Sequence, residues 1–459
     1  MKSRSYNNSI TEGVIWKQLL IFFVPILLGS LFQQLYNMVD AMIVGRFVGK
    51  EALAAVDSTS SFTSLLINFF VGAASGTSVI VSQFYGARND LQVSRAVHTG
   101  VALSLVGGVA VMVLGISIAP ACFRAMSVPE EIMADALTYI RIYFLGTVAQ
   151  FAYNVGAGIL RAVGDSRRPL YFLIVGCIVN IILDILFVVV FRLAVVGAAL
   201  ATVISQVICM VLVGITLMRA EDTFQLFPRQ IRFHRDMLFA IIKVGIPMGL
   251  QSAMYSISNM IIRSAVNTFG TNVIAGWAVS GRMDFIIWTV MDTFGIAVTT
   301  FSGQNYGAEK YDRVRKSVRV CMGMGICTIV AISSLLYIIC PYFGRLFTDD
   351  EEVLALAAYI LRFYAPFFVT YVGSDILSGA IRGTGEAFKP MMLTMFGTCI
   401  LRIIWIFTAV QIHHTIEMVM WSYPMTWMVT TGMFIIYYLR GKWMKGEKKP
   451  SEKNTTRPA

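Results

Sequence analysis

Twelve long apolar runs, separated by short polar stretches rich in Gly, Pro and charge, divide the chain. Their cores lie near 15–42, 53–83, 95–120, 133–159, 169–191, 195–218, 238–266, 273–303, 317–341, 354–380, 388–410 and 416–439. Each is long enough to cross a bilayer as a helix, which takes about 20 residues. None shows the strict alternation of a barrel strand, and only helices and closed barrels satisfy their backbone inside lipid. The pattern therefore predicts an all-α polytopic membrane protein with 12 transmembrane helices. It divides into a tail (1–14), six spans (15–218), a linker (219–237), six more spans (238–440) and a basic tail (441–459).

The two sets of spans are versions of one design. At an offset of 221, Ser82-Gln83-Phe84-Tyr85-Gly86-Ala87 returns as Gly303-Gln304-Asn305-Tyr306-Gly307-Ala308. Pro120 returns as Pro341, and Arg141 and Tyr143 as Arg362 and Tyr364. Gly158, Arg161, Gly164 and Pro169 return as Gly379, Arg382, Gly385 and Pro390. Six spans bring the chain back to the side it left, so the halves are parallel repeats about an axis along the membrane normal. Two such six-helix lobes enclose a central cleft, and rocking them exposes it to one side and then the other.

Composition narrows the function. The chain is 57% hydrophobic and 14% charged, with a mean hydropathy of +0.70. Soluble domains run near 45–50% and about 25%, so a soluble enzyme and a nucleic-acid-binding domain are both excluded. The net charge of +11 does not form a soluble basic face. Lys and Arg concentrate in alternate loops and in both tails, which places both termini in the cytoplasm of a cell-membrane protein. The basic tail adds an affinity for anionic lipid. No cleavable signal peptide is evident. The seven Cys form no C-x-x-C pair and the four His are scattered, so neither a disulfide framework nor a metal cluster is expected. No phosphate-binding G-x-x-x-x-G-K-[ST] loop occurs, and no nucleophile–base pair is visible. The expected protein is not an enzyme and needs no cofactor.

Acids inside spans are costly and call for a function. Gln33, Tyr36, Asn37 and Asp40 share one face of the first span, and Asn180 and Asp184 share one face of the fifth. Thr202 and Gln206 repeat the spacing in the sixth. Two neighbouring carboxylates in low dielectric cannot both be ionised cheaply. Such a pair can hold a proton, or a Na⁺ whose shell Asn and Thr oxygens complete. The second half lacks the pair: Asp40 aligns with Ile261 or Ile262, and Asp184 with Trp405. Coupling should therefore be asymmetric and sit in the first lobe. Asp375, in the tenth span, and Asp292, in the eighth, either bind a cationic substrate or pair with an Arg. Candidate substrate contacts are Gln33, Asn37, Asn154, Tyr255 and Asp375. The Arg161 and Arg382 loops read as structural. Met and Phe offer soft walls for varied ligands, with Met38, Tyr36 and Phe151 nearest the polar face.

Over residues 14 to 440 the chain resembles the multidrug and toxic compound extrusion (MATE) family, in its prokaryotic branch. The resemblance rests on Pro25 followed by Leu35-Tyr36-Asn37-Met38-Val39-Asp40, on Val81-Ser82-Gln83-Phe84-Tyr85-Gly86-Ala87, and on Leu160-Arg161-Ala162-Val163-Gly164-Asp165. The copy Ile381-Arg382-Gly383-Thr384-Gly385-Glu386 completes it. It implies two lobes around a V-shaped cleft and export of drugs or metabolites by H⁺ or Na⁺ antiport. It also implies a first-lobe cation site of Tyr36, Asp40, Asn180, Asp184 and Thr202, and a first helix that bends at Pro25. The missing second-lobe acids favour H⁺ over Na⁺. A monomer exporting amphipathic or cationic compounds is expected. The alternative is a lipid-linked precursor flippase, which needs several cations in the cleft. Arg141 is the only cation within the spans of the first half, which disfavours it.

Overall fold

The computed structural model describes residues 10–125, 129–441 and 443–444. The first nine residues and the basic tail from 445 lie outside them. The first half comprises α1 (Ile15–Phe47), α2 (Lys50–Gly86), α3 (Asp90–Ala125), α4 (Glu130–Leu145), α5 (Thr147–Ala162), α6 (Arg167–Asp184) and α7 (Ala194–Met218). The second comprises α8 (Arg235–Val266), α9 (Thr271–Gly307), α10 (Tyr311–Gly344), α11 (Glu351–Tyr364), α12 (Phe368–Gly383), α13 (Phe388–Thr394), α14 (Leu401–Phe407), α15 (Ala409–Ile412) and α16 (Ile416–Leu439).

Among the described residues nine helices are long and apolar enough to cross a membrane, and two bent pairs bring the number to eleven. The twelfth span is α16, whose Trp, Tyr and Thr residues lower its hydropathy. Its Val419, Met420, Trp427 and Phe434 are buried in the bundle. Spans four and ten, read from sequence as single runs, are broken. α4 and α5 meet at 44° and α11 and α12 at 56°. Pro366 explains the second break, since it lacks the N–H that a continuing helix needs. The first falls at Gly146, where a Cβ would sit 2.9 Å from Val203 on α7. Two π-helical turns, Ile185–Val190 after Asp184 and Met395–Ile400 before Arg402, interrupt spans five and eleven. Such turns recur at functional sites.

The halves meet along two seams of unequal tightness. Along one, Gly72 and Gly76 of α2 face Gly249 and Gly245 of α8. A Cβ at Gly72 would stand 2.8 Å from Gly249 Cα, and one at Gly76 would stand 2.8 Å from Gly245 N. Paired small residues four apart let helix backbones touch. The repeat-related seam joins α1 to α9 through side chains. Phe22 meets Phe301 edge-on at 5.9 Å, and Phe23 stacks on Phe294 at 4.2 Å.

Chain crossovers close the end of the bundle that carries both described termini, here called the base. Residues preceding α1 dock on the second half: Arg313 donates to the carbonyls of Ile10, Glu12 and Gly13, and Lys310 to that of Thr11. The linker before α8 docks on the first half. Phe227 N–H donates to His98 Nε2 and His234 N–H to Thr99 Oγ1. Gly164 and Gly385, at φ +98° and +87°, make the repeat-related turns after α5 and α12. Their left-handed backbone is why Gly stands there.

Candidate functional site

A cavity of about 520 Å³ lies between the halves above the closed base. Its walls come from α1, α2, α5, α6 and α7 on one side and α8, α9 and α12 on the other. Of the expected substrate contacts, Gln33, Asn154, Tyr255 and Asp375 line it. Asn37 does not. It is exposed and outside the lining, although it shares the helical face of Gln33.

Pro25 also lines the cavity, at the point where α1 changes partners. Below it, Leu19, Phe22 and Phe23 are buried in the core of the second half. Above it, α1 lies on α6: a Cβ at Gly29 would be 3.1 Å from Leu173, and Cys177 Sγ approaches the Phe32 carbonyl at 4.0 Å. Proline removes the backbone hydrogen bond that would stiffen this junction. Pro247, which matches Pro25 at an offset of 222, instead sits between Gly245 and Gly249, inside the tighter seam.

The upper part of α1 brings Asp40 against Asp184, the last residue of α6, and the two carboxyls interact directly. Asp184 is fully buried and Asn180 nearly so. Asp40 Oδ1, both Asp184 oxygens and Asn180 Oδ1 and Nδ2 have no hydrogen-bond partner. Buried polar groups are rarely left so. Tyr36 lies beside both carboxylates, and Tyr36 and Asn180 also line the cavity. The acid pair thus stands directly behind the cavity wall. Thr202 is buried on α7, one turn before Gln206. No hydrogen bond among the described residues joins its hydroxyl to either carboxyl.

Chemically, a shared proton would satisfy the carboxyl–carboxyl contact. The same oxygens fit Na⁺, a hard cation that takes oxygen ligands. Among the described residues no cluster of three or more His, Cys, Asp or Glu exists, so any such cage depends on the Asn180 amide oxygen and neighbouring hydroxyls.

The structure adds residues that sequence reasoning missed. Tyr139 and Tyr143 of α4, their rings stacked at 6.1 Å, close the pocket around Asp40. Tyr143 reaches the Gln150 and Gln206 side chains. The spacing of four between the two tyrosines puts them on one face, but sequence cannot show which helix that face meets. On the other side Asp292 and Asp375 line the cavity and interact with each other and with Arg382. Gly295 gives the Asp375 carboxylate room, since a Cβ there would be 2.7 Å from its Oδ2. Arg161 and Arg382, read from sequence as loop residues, both line the cavity. Its walls also differ from the expected soft surface. Among the described residues Met248 is the one Met in the lining, no Phe or Trp joins it, and Met38 and Phe151 lie elsewhere.

The MatE family pattern matches residues 25–186 and again residues 247–408. The chain belongs to the MATE family. Its members are multi-pass membrane transporters of multidrug efflux, and they are not enzymes. The double match falls on the two repeats. A relative named probable multidrug resistance protein YoeA, from Bacillus subtilis, is 28% identical over 83% of this chain and 84% of its own. A MATE protein solved in a bent conformation superposes with a TM-score of 0.88 at 25% identity, covering 96% of this chain and 99% of that one. An outward-facing MATE transporter shares the fold at a TM-score of 0.90 and 24% identity, over 97% of this chain and all of that one.

Proposed function

We propose that the protein is a secondary active antiporter. It exports small organic compounds by alternating access in exchange for a cation, H⁺ in preference to Na⁺. The observation that carries this reading is the Asp40–Asp184 pair: Asp184 is fully buried, Asp40 Oδ1 and both Asp184 oxygens have no hydrogen-bond partner, and Tyr36 and Asn180 join the pair to the cavity wall. A cation entering the pair and a substrate in the cavity act on the same two side chains. Occupation of one is thereby felt by the other, which is what exchange requires. Pro25 supports a bend in α1 as the mechanical link, because the helix is held by different halves on its two sides. Substrate identity is read from the cavity alone.

The closed base faces the cytoplasm in this reading, since Lys and Arg concentrate on its loops and tails. The cavity is then shut to the cytoplasm and opens outward. The test is efflux from cells or proteoliposomes containing Asp40→Asn or Asp184→Asn. Each should lose transport by at least about tenfold while inserting and purifying as wild type. Unchanged efflux in both variants would refute the reading.

One observation favours the second reading, a lipid-linked precursor flippase. Arg161 and Arg382 supply two cleft cations that the sequence reading had assigned to structural loops. Asp292 and Asp375 share the same cavity and offset them, which suits a pyrophosphate headgroup poorly. Transport of a lipid-linked pyrophosphate between leaflets, with no response to an ion gradient, would favour the flippase.

A further inference from the structure

Among the described residues the charged side chains lining the cavity are four: Arg161, Asp292, Asp375 and Arg382. They are arranged by end. Arg161 lies one residue before Ala162, and Arg382 one residue before Gly383. Ala162 and Gly383 are the residues whose carbonyls are bound across the base by Gln304 and Gln83. Both guanidiniums therefore stand at the cavity floor, next to the closure. Arg382 stands within electrostatic reach of the acids Asp292 and Asp375, although among the described residues it forms no close ion pair with either. Arg161 has no acid in such reach. Among the described residues it makes no ion pair, and the ionisable group that lies against it is the Tyr153 phenol. Tyr153 in turn donates to the Pro169 carbonyl at 3.3 Å. A guanidinium in a cleft with no carboxylate beside it is a receptor for one, because its planar fork matches carboxylate geometry in a bidentate way.

The rest of the wall is mixed. Amide side chains (among them Gln33, Asn68, Gln150, Asn154, Gln206 and Gln251) and hydroxyls alternate with aliphatic residues such as Ile26, Val71, Leu170 and Met248. Recognition of a lipophilic cation uses aromatic faces, and drug-sized sites are usually lined by apolar and aromatic groups. Among the described residues the aromatic groups of the lining are tyrosines, and two of them, Tyr255 and Tyr371, spend their hydroxyls on each other at 3.3 Å.

We propose that the cavity selects polar zwitterions. The Asp292–Asp375 carboxylates take an amine and Arg161 takes a carboxylate, while the amide-lined wall hydrogen-bonds the body between them. The volume of about 520 Å³ suits compounds of the size of a small peptide. This rests on the transporter reading of the cleft and names its substrate class. It also assigns Arg161 as the residue that separates zwitterions from simple cations.

The test is equilibrium binding by the purified full-length protein in lipid nanodiscs, with no gradient present. The probes are a set of polar dipeptides, their C-terminal amides (cations) and their N-acetyl forms (anions). The wild type should bind the free dipeptides at least about tenfold tighter than either derivative. Arg161→Gln should bring the zwitterion down to the level of the cation and leave cation binding unchanged, and Arg161→Lys should restore the order. Asp375→Asn should remove the preference for zwitterion over anion. The proposal is overturned if the wild type binds the amides as tightly as the free dipeptides. It is also overturned if no probe binds, or if Arg161→Gln weakens all three classes in parallel, as a merely structural arginine would. Because binding is read without a gradient, a protein that prefers zwitterions yet transports under no ion gradient would refute antiport and leave this assignment standing.

Discussion

Gln83 and Gln304 occupy the same position in the two repeats, and each donates its side-chain amide to a backbone carbonyl of the opposite half. Gln83 Nε2 reaches Gly383 O at 2.7 Å, and Gln304 Nε2 reaches Ala162 O at 2.6 Å. The acceptors are themselves repeat mates. The pair is a pseudo-symmetric latch across the base, and it must open for the cavity to reach the other side. A hydrogen bond of this kind is worth about 1 kcal/mol net. Replacing both glutamines by Ala should therefore favour opening of the base by roughly 2 kcal/mol, about thirtyfold in population. Maleimide labelling of a cysteine introduced at Ser302, fully buried beside the latch, should accelerate accordingly. An unchanged labelling rate would show that the latch does not hold the base shut.

Two glycines allow the latch to form. A Cβ at Gly86 would run into the Gln304 carbonyl, and one at Gly307 into the Gln83 carbonyl. Gly86→Val or Gly307→Val should keep the base from closing and cut transport by at least about tenfold, with insertion retained. Gly323→Ala is the control, since nothing lies within 4 Å of a Cβ there, and its transport should match wild type. Equal activity in all three variants would remove the steric argument.

The two span prolines should behave differently despite their repeat relationship. Pro25 sits where α1 passes from one half to the other. Pro247 sits inside the glycine seam between α2 and α8. Pro25→Ala restores a hydrogen-bonded junction and should slow transport while leaving thermal stability within a few degrees of wild type. Pro247→Ala should leave transport nearly unchanged, because its seam has no second partner to bend towards. Transport rate and unfolding temperature measured side by side decide the matter. Equal slowing by both would assign the prolines a symmetric role.

Much of this was legible in the sequence. Apolar run length gave the spans, and a constant offset gave the repeat, because both are one-dimensional signals. Helical spacing placed Gln33, Tyr36 and Asp40 on one face, and Asn180 and Asp184 on another. What the sequence could not show was which faces meet. Tyr139 and Tyr143 close on Asp40 only because α4 packs on α7 and Tyr139 joins Ile43 and Val44 of α1 in one buried cluster. Arg161 and Arg382 look like loop residues until the bends of α4–α5 and α11–α12 carry the ends of those helices under the cavity. Pro366 carries a sequence signal for one bend, which reading 354–380 as one apolar run passed over; Gly146 left the other unmarked, since a lone glycine in a long helix usually continues it. Asn37 misled for a related reason: spacing of three or four defines a face about a third of the helix wide, and the cavity uses only part of it.

The measurement closest to the central claim is transport by purified protein in liposomes under one imposed gradient at a time. With a pH gradient alone, the wild type should drive substrate movement opposite to the proton, and Asp40→Asn and Asp184→Asn should abolish it. A Na⁺ gradient at equal pH should drive little. Transport driven by Na⁺ alone would make the same oxygens, with the Asn180 amide, a sodium site and contradict the proton assignment. Substrate movement that persists in both aspartate variants would contradict the coupling account itself.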